Sequence, residues 1–320
     1  MCIRDSHTPA MPTDKIDSTS QSPNSLLKEG LSFAAGGDLP QAIRCFEKAV
    51  VQSPFSAEAH FNLGLALKQG GDHRSAIEHY ETAARLNPAD ADIHFNWGNA
   101  LIAAGKPRAA VDRFGQALKI QPATPKYLTN LAAAFQEAGE LPSAIDTFQA
   151  AFELDPRSPE SQWNLALALL KAGKYKAAWP LFEARLTRVP WRSNYPHRYA
   201  SPRWQGEPFK DRHLLVHFEQ GFGDTMQFMR YLPLVKALGG KVTFEVPPPL
   251  LPLAENMACV DAAVAFSYER PADVDADLHV PLMSLAGIFD TRPETIPSQT
   301  PYLHPPETRI CRWGEVHDPQ

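Results

Sequence analysis

A solenoid of paired helices followed by an α/β domain built on a parallel sheet is the fold class that this sequence of 320 residues predicts. Three observations carry the prediction. Proline, glycine and alanine each recur every 34 residues through the amino-terminal part of the chain. Apolar residues fall at helical spacing on both sides of each recurring glycine. Beyond Pro190, short apolar runs alternate with helical stretches, the pattern of strands and crossover helices. The length accommodates two domains of ordinary size, each with its own core.

The periodic sets are Pro54, Pro88, Pro122, Pro156 and Pro190; Gly37, Gly71, Gly105, Gly139 and Gly173; and Ala42, Ala76, Ala110, Ala144 and Ala178. In the copy AEAHFNLGLALKQGGDHRSAIEHYETAARLNP each such residue has a physical task. Gly71 is expected to end the first helix in the left-handed conformation, and Asp72 to cap the second. Gly64 and Ala76 are small where paired helices approach, and Leu63, Tyr80 and Ala83 fill the contact. Pro88 stops the second helix, while Pro40 and Pro142 suit a first helical turn. The pattern resembles the tetratricopeptide repeat, in five copies over residues 23–192. Such copies must stack to bury both faces, leaving a concave surface for a ligand. In the fifth copy, Arg185 replaces the alanine found as Ala49, Ala83, Ala117 and Ala151 in the others, which predicts a cap or a junction.

Asn62, Asn96, Asn130 and Asn164 keep the same interval on the first helix of their copies. Asparagine is a mediocre helix former, but its amide offers a donor and an acceptor to one peptide unit. Packed helices lie about 8–10 Å apart, close to three residues of extended chain at about 3.3 Å each. The four asparagines are therefore candidate peptide-binding residues. They are similar to the ladder in the repeat arrays of protein O-GlcNAc transferases, and that resemblance implies a grip on peptide backbone. The alternative is that the amides bond between neighbouring repeats and order the solenoid. His60 and His94, also one repeat apart, lack the further ligands a metal needs and read as packing or surface histidines.

A net charge of −5 and a pI near 6.1 exclude a general nucleic-acid binder. Cys2, Cys45, Cys259 and Cys311 form no CxxC pair and read as reduced thiols. No apolar stretch reaches the roughly 18 residues that span a bilayer, so no membrane span is predicted, and a cytoplasmic location is expected. Residues 1–22 read as a disordered tail, with the opening MCIRDS an appended scar and Met11 the natural start.

Residues 193–212, rich in Pro, Arg and aromatics, read as an ordered linker or strap. HLLVHF, KVTFEV, DAAVAF and ADLHV read as buried strands, with helices expected at 225–238, 249–257 and 282–289. The loop EQGFGD after the first strand opens at the carboxyl edge of such a sheet, where ligands bind. Glu219, Gln220, Gly221, Gly223 and Thr225 are the candidate cleft or phosphate-binding residues, with the two glycines expected to make a tight turn. A dinucleotide fingerprint needs a third glycine where Met226 stands, so a nicotinamide cofactor is not predicted, although Glu245 ends the second strand where a ribose-binding acid would sit.

From about Pro202 to Leu303, the stretch HFEQGFGDTMQFMRYLPLVKALGGKVTFEV, with DLHVPLMSLAGIF and TIPSQTPYL, resembles the amino-terminal half of bacterial heptosyltransferase-like glycosyltransferases fused to tetratricopeptide repeats. The resemblance implies a Rossmann-like domain at 213–303, a nucleotide-sugar donor, no bound metal and no covalent cofactor. It also implies that Asp224 is the general base that takes a proton from the acceptor hydroxyl, chemistry suited to an oxocarbenium-like transition state. The competing role for Asp224 is a helix N-cap just before Thr225. Asp-x-Asp in DVDAD, residues 273–277, reads as a solvated turn, since Leu278 replaces the glycine of a calcium loop. In such transferases the donor sits mainly in a second sheet domain. Residues 304–320 are then a truncated connection to a missing domain, and the fragment is expected to be inactive alone. The expected function is the amino-terminal part of a glycosyltransferase whose repeats bind a protein or peptide acceptor. The alternative is a non-catalytic interaction module with an appended α/β domain.

Overall fold

The computed structural model describes residues 21–188, 199–219 and 221–305. The chain divides into two compact units, Met1–Pro122 and Ala123–Gln320. In the first unit, three helical pairs follow one another: α1 (Pro23–Ala35) with α2 (Leu39–Gln52), α3 (Ala57–Gln69) with α4 (His73–Leu86), and α5 (Ala91–Ala103) with α6 (Pro107–Ile120). The second unit opens with two more, α7 (Pro125–Glu137) with α8 (Leu141–Leu154), and α9 (Pro159–Lys171) with the shorter α10 (Tyr175–Phe182). These ten helices match the predicted solenoid of paired helices.

The turn inside each pair is set by its glycine. Gly71 has φ of +87°, its N–H bonds to the Lys68 carbonyl at 3.1 Å, and the Asp72 N–H bonds to the Leu67 carbonyl at 2.9 Å. This double closure satisfies the last carbonyls of α3 and reverses the chain. Asp72 then caps α4 by accepting from the Ser75 N–H at 3.0 Å, as expected. Lys106, Glu140 and Lys174 stand at the same place in later copies and make no side-chain cap. In two of them Pro107 and Pro142 set the first turn instead.

Within a pair, the contact is a ring against a missing side chain. Phe46, Tyr80, Phe114, Phe148 and Phe182 also recur every 34 residues, and all are buried. A Cβ on Gly30 would lie 2.5 Å from the Phe46 ring, one on Gly64 3.0 Å from Tyr80, and one on Gly98 2.5 Å from Phe114. Ala132 and Ala166 replace glycine in the last two copies and are buried. Each such ring contributes about 1.5–3 kcal/mol by leaving water.

The rest of the second unit is a four-stranded, fully parallel sheet in the order β3-β2-β1-β4. Its strands are β1 (His213–His217), β2 (Lys241–Val246), β3 (Ala262–Ala265) and β4 (Leu278–Pro281). Leu214 pairs with Val242 on one side and with Leu278 on the other. Strands β1, β2 and β4 are buried almost throughout, as expected of parallel strands; β3, also expected to be buried, is half-buried to exposed because it stands at the edge of the sheet. Linker residues extend the sheet beyond β4: the His279 N–H bonds to the Pro202 carbonyl at 3.1 Å, and the Trp204 N–H to the His279 carbonyl at 2.9 Å. Trp204 and Phe209 carry this strap into the core with Leu214, Val216, Phe244 and Leu285.

The predicted helices need correction at their ends. The stretch expected as one helix at 225–238 is α11 (Phe222–Phe228) and α12 (Leu232–Ala237), separated by a 3-10 turn at Met229–Tyr231. Pro233, in the first turn of α12, cannot continue the ladder from the preceding helix. The other two are a 3-10 turn at Pro248–Leu250 leading into α13 (Leu251–Glu255), and one at Leu282–Ser284 leading into α14 (Leu285–Ile288).

Candidate functional site

At the carboxyl end of β1 the chain reaches Glu219, the first residue of the predicted loop. Its side chain is only 4% exposed. Arg185 grips it with both arms, Nε to Oε2 at 2.7 Å and Nη2 to Oε1 at 3.0 Å. The Met283 N–H, just after β4, adds a bond to Oε1 at 2.7 Å. Arg185 lies in a 3-10 turn, Glu183–Leu186, that continues α10. It also donates through Nη1 to Glu183 at 2.7 Å and to the Phe182 carbonyl at 3.2 Å, and through Nη2 to Ser284 Oγ at 2.7 Å. All five guanidinium N–H groups are thereby used. Arg203, from the strap, pairs with Glu183 and donates to Ser284 Oγ at 2.8 Å.

Two guanidinium groups, two carboxylates and a hydroxyl thus close a balanced cluster, which identifies the junction that the anomalous Arg185 predicted. Burial opposes the charge of Arg185, but Glu219 and Glu183 outweigh it and hold the group protonated above its ordinary value. Burial likewise raises Glu183, but Arg185 and Arg203 prevail and hold it below the ordinary carboxylate value. Beside the cluster, His217 and His279 meet at 3.0 Å between Nε2 and Nδ1. Burial and then Arg203 keep His279 below its usual value.

The remaining loop residues follow. Gln220 lies outside the described residues. Gly221 is the N-cap of α11 with φ of −22°, and its carbonyl accepts from the Thr225 N–H at 3.0 Å and from Thr225 Oγ1 at 2.9 Å. Neither Gly221 nor Gly223 adopts the left-handed conformation, and a Cβ on either would meet open space. The expected tight turn is therefore not what these glycines supply. Asp224 lies in the first turn of α11, three residues past its N-cap, so the expected N-cap role falls to Gly221. Its half-buried carboxylate makes no hydrogen bond among the described residues. Glu245 is fully buried in β2 and so does not stand at an open edge.

Of the candidate peptide-binding residues, Asn62 is buried and Asn96, Asn130 and Asn164 are half-buried. The Asn96 amide donates to the Asp92 carbonyl, and the Asn130 amide to the Lys126 carbonyl, both at 2.9 Å and both one turn back on their own helices. One N–H of each amide is thus spent locally. Asn96 Oδ1 also receives Lys68 Nζ from the preceding repeat at 3.4 Å, a long contact of the inter-repeat kind.

The two histidines pack, as expected. His60 Nε2 contacts the Pro54 carbonyl at 3.1 Å, and its Nδ1 faces His79 Nδ1 at 3.0 Å. His94 Nε2 lies 3.3 Å from the Pro88 carbonyl. No group of three or more His, Cys, Asp or Glu among the described residues could hold a metal ion. Cys45 is buried and Cys259 half-buried, both free; Cys2 and Cys311 lie outside the described residues. Asp277 of the DVDAD segment accepts from the His213 N–H at 2.7 Å, where β1 begins. Among the described residues no helix is long and apolar enough to cross a membrane.

Sequence reasoning did not find Glu183, Arg203 or Ser284. The one readable signal was the charge at position 185, which pointed to a junction without naming its partners.

Paired helices at a fixed period, joined to a small parallel sheet, define a helical-repeat protein with a carboxyl-terminal α/β region. A family model described as tetratricopeptide repeat matches residues 27–91, 95–159 and 129–190, about half of the chain. The chain belongs to the tetratricopeptide repeat family. Among solved structures it is similar to the MamA protein, at 22% identity over 52% of this chain and 97% of that one, with a TM-score of 0.48. It is also similar to YrrB, described as a tetratricopeptide repeat protein with an unusual peptide-binding site, at 16% identity over 55% and 90% of the two chains, with a TM-score of 0.48. A thermophilic repeat protein of Thermus thermophilus matches at 20% identity over 54% and 94%, with a TM-score of 0.43. No protein of curated function matches the chain.

Proposed function

We propose that this protein is a peptide-binding repeat array joined to the amino-terminal, Rossmann-like domain of a sugar transferase, and that the array selects the acceptor. The observation that carries the reading is the strand order β3-β2-β1-β4 with every pairing parallel. In such a sheet the chain reverses its winding between β1 and β4, and ligands bind outside the carboxyl ends of the strands at that point. The Glu219–Asp224 loop leaves β1 there. Asp224 is the one carboxylate of the loop without a protein partner among the described residues, as a group waiting for an acceptor hydroxyl must be. The repeats supply the acceptor, with the asparagines offering amide groups to an extended backbone.

The test, made on the complete transferase that this reading implies, with its donor-binding domain, is transfer of radiolabelled sugar, from a panel of nucleotide sugars, to a peptide that binds the array. Asp224→Asn is expected to abolish transfer and leave peptide affinity unchanged. Full activity in that variant removes Asp224 as the base. Unchanged affinity in a folded Asn96→Ala, Asn130→Ala protein removes the asparagine ladder.

A second reading, a non-catalytic interaction module with an appended α/β domain, is favoured by Glu219. A loop acid with both oxygens held by Arg185 and Met283 contributes to packing and repels a phosphate. The two readings part on whether Asp224→Asn changes anything besides stability.

A further inference from the structure

A cavity of about 460 Å³ opens between α10, the strap at 203–205 and α14, within the second unit. That volume lies in the range of small-molecule sites, about 300–1,000 Å³. Trp179 forms one wall, and its indole N–H is tied to the Thr291 carbonyl at 2.8 Å, so the ring is fixed and only its face is on offer. Gly287 lets the helix approach: a Cβ there would lie 3.2 Å from the Trp179 Cβ.

The polar lining is unevenly committed. Glu183 spends Oε1 on Arg185, and Oε2 on Arg203 and on Ser284. Asp290 pairs with Arg292. Both carboxylates of the lining are therefore satisfied. On the cationic side, Arg203 spends Nη2 on Glu183 and Ser284, its side chain is 30% exposed, and its Nη1 makes no hydrogen bond among the described residues. Lys176 lines the same cavity, is exposed, and makes no ion pair or hydrogen bond among the described residues.

We propose that this cavity binds a small organic carboxylate whose apolar body lies on Trp179 and whose charged end meets Arg203 and Lys176. A carboxylate can accept from a guanidinium N–H and from an ammonium at once, and an aromatic face rewards an apolar body that inorganic phosphate lacks. The carboxylate comes either from a free acid or from the carboxyl terminus of a peptide. The site uses neither the repeat asparagines nor Asp224, so its failure leaves the proposed function standing, and the reverse holds too.

Calorimetric titration of the full chain with phenylacetate, with inorganic phosphate, and with N-acetyl-alanyl-phenylalanine as acid and as amide tests the site. Phenylacetate or the peptide acid is expected to bind, with Lys176→Glu weakening it by about tenfold or more and the nearby exposed Lys174→Glu leaving it unchanged. Binding of the peptide acid, but not of phenylacetate, assigns a peptide carboxyl terminus. Binding of phenylacetate alone assigns a free acid. The proposal is overturned if phosphate binds and neither carboxylate does, if the amide binds as well as the acid, if Lys176→Glu has no effect, or if nothing binds.

Discussion

Arg185 carries the largest single-residue consequence in the second unit. The other copies place a small alanine at this position, and here a guanidinium at 3% exposure meets a Glu219 side chain at 4%. Such a pair adds little net stability over a packed apolar substitute, but breaking it strands the remaining charge. Arg185→Ala is therefore expected to cost about 3–5 kcal/mol in urea unfolding. Arg185→Met with Glu219→Leu, which removes both charges and keeps volume, is expected to recover most of that loss. If the double variant is as unstable as the single one, the ion pair is not the cause. Glu183 adds a pH signature. Its folded value is depressed below the ordinary 4.5, so its contribution is fully present above that ordinary value and is lost as pH falls through the folded one. Acid unfolding curves of Glu183→Gln are expected to lose part of the low-pH slope and to match the wild-type slope at neutral pH.

At the scale of elements, the glycines separate packing from propensity. Gly98 and Gly115 both lie in helices of one repeat, yet a Cβ on Gly98 would strike Phe114 at 2.5 Å, while one on Gly115 meets nothing within 4 Å. Gly98→Ala is expected to destabilise by about 1–3 kcal/mol through overpacking. Gly115→Ala is expected to stabilise by about 0.8–1 kcal/mol, the helix propensity difference. Thermal melts of the two variants should move in opposite directions. The same contrast explains what was legible in the sequence. A glycine that must face a ring recurs with that ring every 34 residues, so both can be read as a pattern. Strands β1, β2 and β4 were legible because both faces of parallel strands are buried and leave continuous apolar runs such as HLLVHF. The start of α11 was missed because Gly221 caps it without a side-chain hydrogen bond, while Asp224, three residues on, offers the stronger capping side chain. The break before α12 was in principle visible at Pro233.

For the molecule as a whole, the least legible feature is how the last repeat is fastened to the sheet. Arg185 finds Glu219 34 residues away and Ser284 99 residues away, and no local rule links them. Trp179 reaches the Thr291 carbonyl across 112 residues in the same way. Phe182, the ring of the fifth copy, packs with Met283 of the sheet region. The fifth repeat therefore replaces the stacking partner that a sixth copy would provide with the carboxyl edge of a sheet. In a repeat array each copy depends chiefly on its immediate neighbours, and opening occurs in contiguous cooperative blocks. Native-state hydrogen exchange on Arg185→Ala is thus expected to show faster exchange together in α9, α10, β1 and α14. Amides of α1–α4, in the other unit, should keep wild-type protection. Loss confined to α10, with β1 unchanged, would mean that the repeat and the sheet open separately and that the cluster does not join them into one cooperative block.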